Sequence, residues 1–223
     1  SYEAALKSIE RISKPSTQIM EAKLKILFQL GTQSFANAAF QQAINYFNQA
    51  ITLGTYNRQT HADACYWRGE SYYRIDKMQE AARDFSEYLR LNRQTNTEMY
   101  ALAHYNLGYT AFQQKNYTQA LTWFEKYTRQ EKNNKNSTLA DAYNRMGDCY
   151  LHVRNFDEAK HYYAQAEALD TPAGDYSFYQ LALVSGLQKD YAGKVTLLNR
   201  LAGKYPSSPY LVNVLYEKGR SYV

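Results

Sequence analysis

The chain has 223 residues, of which 45% are hydrophobic and 21% are charged, a balance typical of a folded globular protein and not of a disordered one. No run of about 18 apolar residues occurs, so the sequence predicts no transmembrane segment. The net charge of +5 is modest and the cations are spread along the chain, which disfavours a nucleic-acid partner.

In chain order, the predicted elements form a series of helical repeats. Residues 1–14 fit the second helix of a repeat whose first helix is absent, and Pro15 with Ser16 ends that helix. Full repeats are predicted over residues 24–57, 62–95, 101–134 and 140–173. A degenerate repeat follows over residues 175–208, and residues 209–223 fit the first helix of a further repeat. Because the pattern starts and stops within a repeat, we expect the chain to be a piece of a longer array.

The full repeats share a pattern of three residues. An alanine stands twelve positions after a glycine, and an aromatic residue stands four positions after the alanine. The glycines are 38, 39 and 39 residues apart, a period that indicates a stack of equivalent structural units. The four occurrences are Gly31, Ala43 and Phe47; Gly69, Ala81 and Phe85; Gly108, Ala120 and Phe124; and Gly147, Ala159 and Tyr163.

The third repeat shows how the pattern predicts a pair of helices. Apolar and small residues recur at three- and four-residue steps over residues 101–111, which predicts one face of a helix. The pattern is interrupted at residues 115–116 and resumes over residues 117–127. Two helices with so short a connection pack antiparallel. The small Gly108 and Ala120 are therefore expected where the two helices approach each other.

This pattern resembles the tetratricopeptide repeat (TPR) family. Its paired large residue and glycine match Leu30-Gly31, Leu107-Gly108 and Met146-Gly147, whereas Arg68-Gly69 departs from the family at the first of the two positions. The resemblance implies an all-α fold, a right-handed superhelical solenoid of antiparallel helix pairs. The long repeat period and the turn at residues 205–209 are similar to bacterial cell-envelope members, which makes the envelope or periplasm the expected compartment ahead of the cytoplasm.

The degenerate repeat replaces the glycine by Ala182 and the alanine by Lys194. A lysine at a close contact between helices is expected either to loosen that pair or to direct its ammonium outward.

The TPR resemblance also implies where a partner would bind. In that family the first helix of each pair lines a concave surface, and we transfer its surface positions to this chain. In the first three repeats these positions form an aromatic ladder that consists of Phe28, Phe35, Tyr66, Tyr73, Tyr105, Tyr109 and Phe112, with Arg74 beside it. In the fourth repeat the same side of the helix is polar and carries Asn144, Arg145, Asp148 and His152.

Both groups of residues have a second interpretation. The aromatic ladder serves either as a recognition surface or as packing between adjacent repeats, because aromatic side chains suit both. The polar face of the fourth repeat serves either as the charged end of a groove or as solvated pairs along one helix.

Chemistry-bearing motifs are missing from the sequence. The four histidines are scattered, and no metal-binding spacing, phosphate loop or nucleophile motif is present, so we expect no catalysis, metal or cofactor. The sequence therefore predicts a scaffold or adaptor that binds a peptide or partner helix in an aromatic-lined groove. A glycan- or peptidoglycan-binding segment and a structural spacer are the alternatives.

Overall fold

A computed structural model describes residues 1–133 and 137–221, so the last two residues of the predicted final helix lie outside the described residues. Within those ranges the structure consists of helices and turns, without a β-strand. The helices group into two compact units, Ser1–Lys115 and Asn116–Val223. Among the described residues, no helix is both long enough and apolar enough to cross a membrane.

The first unit contains six α-helices and a short 3₁₀ turn at Gly54–Tyr56. Each helix packs on the next one in sequence, and α2 also contacts α4. The helices are α1 (Tyr2–Glu10), α2 (Thr17–Ala36), α3 (Phe40–Thr52), α4 (Arg58–Arg74), α5 (Met78–Leu91) and α6 (Glu98–Gln113).

The second unit repeats this arrangement, and its consecutive helices also pack on each other. The described helices are α7 (Tyr117–Gln130), α8 (Ser137–His152), α9 (Phe156–Ala168), α10 (Gly174–Leu187), α11 (Tyr191–Lys204) and α12 (Leu211–Gly219). The predicted all-α array of antiparallel helix pairs is thus confirmed by the pairs that each unit contains.

The glycines of three repeats, Gly31, Gly69 and Gly147, each allow an aromatic ring to pack directly on the helix backbone. A Cβ atom added to Gly31 would lie 2.5 Å from Phe47, and one added to Gly147 would lie 2.6 Å from Tyr163. Both rings are completely buried. Burial of one such side chain contributes about 1.5–3 kcal/mol. The glycine and the ring therefore hold these helix pairs together, at the small residue where the spacing predicts that the two helices approach each other.

The turn between the two helices of a pair has the same backbone geometry in every repeat. A residue with positive φ stands seven positions after each repeat glycine or its replacement, at Ala38, Asp76, Lys115, Arg154 and Lys189, with φ of 57–65°. In the first repeat the amide of Ala39 then donates to the carbonyl of Ser34. This is the bond that closes a helix end whose next residue is left-handed. None of the five residues is a glycine.

The expectation that Lys194 directs its ammonium outward is wrong. Lys194 is only 6% exposed, and its ammonium donates to the carboxylate of Glu217 on α12. Gly186 on α10 leaves the space for the lysine stem, since a Cβ atom there would lie 2.9 Å from the lysine Cδ. A second small residue, Gly186, one helical turn after Ala182, thus makes room for the lysine.

Candidate functional site

Phe35, near the end of α2, is a half-buried aromatic residue with rings on two sides. Its ring meets those of Phe40 and Trp67 edge-on, with centroid separations of 5.4 and 5.1 Å. The guanidinium of Arg74 lies 5.9 Å from the Phe35 centroid, within the range of a cation–π interaction. Arg74 is exposed. Phe35 is therefore an aromatic side chain that its neighbours restrain, that is partly accessible to solvent, and that lies beside an exposed cation.

Phe28 and Tyr73 are half-buried on the same two helices. The ring of Phe28 packs against the buried ring of Phe47, with centroids 6.0 Å apart. It stands seven residues, about two helical turns, before Phe35, which places both on one side of α2. These side chains and Arg74 lie on two helices that pack on each other, and Arg74 contacts Phe35 across that packing. We refer to Phe28, Phe35, Tyr73 and Arg74 as the Phe35 surface.

The part of the aromatic ladder on α6 is also half-buried. It consists of Tyr105, Tyr109 and Phe112. The rings of Tyr105 and Tyr109 meet edge-on with centroids 5.0 Å apart, so each restrains the other.

Tyr66 belongs to the core, unlike the other members of the aromatic ladder. It is 4% exposed, and its ring packs edge-on against Trp67, Phe85 and Tyr88 at 5.2–5.6 Å. Burial raises the pKa of its hydroxyl well above the ordinary tyrosine value. This differs from the expectation of a surface residue, because aromatic rings of the same repeat, on α4 and α5, pack around it. Tyr66 therefore serves in packing and not as part of a recognition surface.

A polar network lies between the buried Tyr66 and the exposed Arg74. The side-chain amide of Asn106 on α6 donates to the Tyr66 hydroxyl at 3.2 Å and to the carboxylate of Glu70. Arg74 approaches the same carboxylate at 3.8 Å. Burial raises the pKa of Glu70, an effect that Arg74 and Asn106 oppose. The network ties α4 to α6 and holds the base of Arg74 beside Phe35.

In the second unit, Asp148 is buried and multiply bonded. The hydroxyls of Tyr163 and Tyr176 donate to one carboxylate oxygen at 2.6 and 2.7 Å, and Arg145 pairs with the other at 2.6 Å. The Arg145 guanidinium also lies 4.9 Å from the Tyr176 ring centroid. Asp148 is only 7% exposed, so the expectation of solvated pairs along this helix is wrong for it. The aspartate lies where three successive helices meet, and it uses its oxygens to join them.

The other polar residues predicted in the fourth repeat have different surroundings. Asn144 is 2% exposed, and its side-chain oxygen accepts a hydrogen bond from Ser177 at 2.8 Å, so it joins α8 to α10. His152 is exposed at the end of α8, where its ring stacks on Tyr117 with centroids 4.3 Å apart and planes 6° apart. His152 is thus the accessible member of this group.

The ion pair between Arg68 and Asp84 was not predicted, although Arg68 departs from the family pattern. Arg68 replaces the large apolar residue of the repeat, and its guanidinium donates to both oxygens of the buried Asp84 at 2.6 and 2.7 Å. The departure from the family pattern was the available signal. The partner was not identifiable, because Asp84 lies sixteen residues away on α5.

The chemistry of the described residues is that of a packed helical protein. Cys65 and Cys149 are both free and buried, and burial raises the pKa of each thiol to about 12. Neither thiol is therefore a reactive thiolate at neutral pH. No group of three or more metal-ligating side chains is found in the described part of the chain.

The helix pairs, their glycine–aromatic contacts and their shared left-handed turn define a helical-repeat protein. Tetratricopeptide repeat family models match residues 28–95, 100–171 and 140–209. Together these matches cover well over half of the sequence, and the chain belongs to the tetratricopeptide repeat family. Arrays of this class are generally interaction modules that bind other proteins on an extended surface.

Individual relatives are distant. The chain is 25% identical over 159 residues to response regulator aspartate phosphatase E of Bacillus subtilis, and it spans 42% of that protein's length. The apo form of RapI has a similar fold, with a TM-score of 0.79 at 14% identity over all of this chain and 64% of RapI. YrrB, described as a TPR protein with an unusual peptide-binding site, has a TM-score of 0.73 at 18% identity over 98% of this chain and 100% of YrrB.

Proposed function

We propose that this chain is a non-catalytic interaction module that binds an extended peptide or a partner helix on the Phe35 surface. The observation that carries the proposal is the packing of Phe35, which is held by Phe40 and Trp67 and yet remains partly accessible beside the exposed Arg74. Tyr105, Tyr109 and Phe112 extend the proposed surface along α6.

The physical argument rests on pre-organisation. Aromatic side chains provide a large contact area at a low entropic cost, and aromatic residues and arginine are enriched at interfaces. Phe35 is already restrained by its neighbours, and the Asn106–Glu70 bond positions the helix face from which Arg74 extends. A partner side chain would therefore bind an apolar surface with a cation at its edge, and little conformational entropy would be lost in restraining these groups.

The likeness to YrrB supports the same class of ligand, because YrrB has a peptide-binding site on the same fold. The proposed role is binding, without catalysis.

The polar residues predicted in the fourth repeat belong to the second unit, where Asn144 and Asp148 hold adjacent helices together through Ser177, Tyr163 and Tyr176. His152 is exposed at the end of α8.

The test is a peptide selection followed by measured affinities. Phage-displayed dodecapeptides are selected on the intact chain, and the Kd of the tightest synthetic peptide is measured by fluorescence anisotropy. We expect Phe35→Ala to weaken binding by about tenfold or more, as expected for an interface anchor. Tyr216→Ala is the matched control, because Tyr216 is an exposed aromatic on α12, far along the sequence, with 66% of its surface accessible.

Two results would overturn the proposal. One is a selected peptide that binds Phe35→Ala as tightly as the wild-type chain while circular dichroism shows both to be folded. The other is failure to enrich any peptide, combined with saturable quenching of tyrosine fluorescence by chitin or peptidoglycan oligosaccharides. The second result would favour the glycan-binding alternative.

A further inference from the structure

A second candidate site lies wholly within the second unit, at a pocket of about 340 Å³ formed by α10, α11 and α12. Leu183, Leu187 and Tyr191 contribute apolar walls, and the pair Lys194–Glu217 with Arg220 contributes charge. Leu187 and Tyr191 are 56% and 49% exposed, so these walls are open to a ligand. The volume suits one side chain or a small molecule.

The charged pair at this pocket replaces an apolar contact that the other repeats keep. The position of Lys194 is occupied by a completely buried alanine in each of the four preceding repeats, namely Ala43, Ala81, Ala120 and Ala159. Lys194 and Glu217 are only 6% and 9% exposed. Removing two charges from water is costly, and a buried ion pair is often no more stabilising than apolar residues of similar volume. Stability alone therefore gives no reason for the lysine.

The donors of Lys194 point to the kind of ligand that would use it. A lysine ammonium has three N–H donors. Within residues 1–133 and 137–221, Glu217 is the partner that the structure shows for this ammonium, and Lys194 is one of the residues that line the pocket. Arg220 lies 3.7 Å from the other oxygen of Glu217 and is 64% exposed. Two cations and one anion give the pocket a net charge of +1.

We propose that this pocket binds an acidic side chain of a peptide segment. The carboxylate would accept hydrogen bonds from Lys194 and Arg220, and an apolar neighbour in the peptide would pack on Leu183 and Leu187. A carboxylate matches both the spare donors and the net charge, and the aliphatic walls match the stem that carries it. This site is separate from the Phe35 surface and does not depend on the function proposed for that surface.

An NMR titration of the intact chain tests the proposal. The probe is the capped peptide acetyl-Leu-Glu-Leu-amide, and its matched control is the Gln analogue. The amide of Gly186 is the reporter, because Gly186 lines the pocket. We expect the Glu peptide to shift this resonance saturably, with a Kd at least tenfold lower than that of the Gln peptide. Equal shifts with the two peptides would overturn the proposal.

Variants separate recognition from folding. Arg220→Gln is expected to raise the Kd of the Glu peptide about fivefold or more. Lys218→Gln, which removes an adjacent cation outside the pocket lining, is expected to leave this Kd within twofold of the wild-type value. Lys194→Met, Glu217→Met and Arg220→Gln together remove every charged side chain of the pocket lining and are expected to abolish the preference for Glu over Gln. A preference that survives in this folded triple variant would overturn the proposal. Hexanoate binding more tightly than the Glu peptide would overturn the assignment to a peptide.

Discussion

The hydroxyl of Tyr163 donates a 2.6 Å hydrogen bond to Asp148, the residue that directly follows the repeat glycine against which the same ring packs. One side chain therefore fills the close contact between α8 and α9 and also satisfies a buried carboxylate. The Tyr176 hydroxyl reaches the same oxygen from α10, so the carboxylate connects three helices.

Replacing Asp148 by asparagine is expected to change how the free energy of unfolding depends on pH. Burial raises the pKa of Asp148 in the folded chain above its ordinary value of 3.8, although Arg145 and the two tyrosine hydroxyls oppose the shift. The folded state then binds the proton more tightly than the unfolded state does. The contribution of Asp148 to the free energy of unfolding is therefore largest below about pH 3.8 and is lost as the pH rises through the pKa of the folded chain.

Urea unfolding of the wild-type chain and of Asp148→Asn at pH 4 and pH 7 measures this dependence. The stability difference, wild type minus variant, is expected to be larger at pH 4 than at pH 7. Taking this difference cancels the contributions of the other carboxylates. A larger difference at pH 7 would mean that Arg145 and the hydroxyls outweigh burial.

Replacing Gly31 by alanine is expected to destabilise the first unit by about 1–3 kcal/mol, the usual cost of overpacking. The added Cβ atom would lie 2.5 Å from the buried ring of Phe47, so the helix pair has to separate. Gly219→Ala is the matched control, because nothing lies within 4 Å of its added Cβ atom. Thermal unfolding followed by circular dichroism measures both, and equal effects of the two substitutions would contradict the close-contact role of Gly31.

Replacing Ala38 by glycine is expected to stabilise the chain by about 0.5–1 kcal/mol. Ala38 has φ of 57°, a left-handed conformation that is unfavourable for a residue with a Cβ atom. Glycine adopts this conformation without that cost, which outweighs its larger entropy loss on folding. Ala22→Gly, at an exposed position inside α2, is expected to destabilise by about 1 kcal/mol instead. Urea unfolding midpoints should therefore move in opposite directions for the two substitutions.

Replacing either partner of the Lys194–Glu217 pair alone is expected to be more harmful than replacing both. Lys194→Met leaves Glu217 as a buried charge without its lysine, and Glu217→Met does the converse, at a cost of about 3 kcal/mol each. The double substitution leaves an apolar contact and is expected to have nearly wild-type stability. A double-mutant cycle from chemical unfolding measures the coupling, and simple addition of the two single effects would contradict a buried pair.

The sequence was informative wherever a contact depends on spacing along one repeat. The repeat glycine was correctly expected where the two helices of a pair approach, because it recurs at a fixed position, and Gly31 lies there against the ring of Phe47. The surroundings of Asp148 were not predictable in the same way, since its partners Tyr163 and Tyr176 are 15 and 28 residues away. Their convergence depends on how successive helices rotate, which no periodicity encodes.

The candidate site was predictable as a set of helix positions and less so as a surface. Phe28, Phe35, Tyr73 and Arg74 were selected by position, and the structure places them on two packed helices. Tyr66 was selected by the same rule but lies in the core, because Phe85 and Tyr88 of its own repeat pack on its ring. The partner-binding role of the set remains a prediction, as does the cell-envelope location.

Photo-crosslinking tests the central claim most directly, namely that the Phe35 surface contacts the bound peptide. The photoreactive amino acid p-benzoylphenylalanine is incorporated at position 28, 35 or 73, or at position 216 as the control. Each protein is irradiated with the selected dodecapeptide and analysed by mass spectrometry. We predict a peptide adduct at one or more of the first three positions and none at position 216. Adducts confined to position 216, with none on the Phe35 surface, would contradict the account.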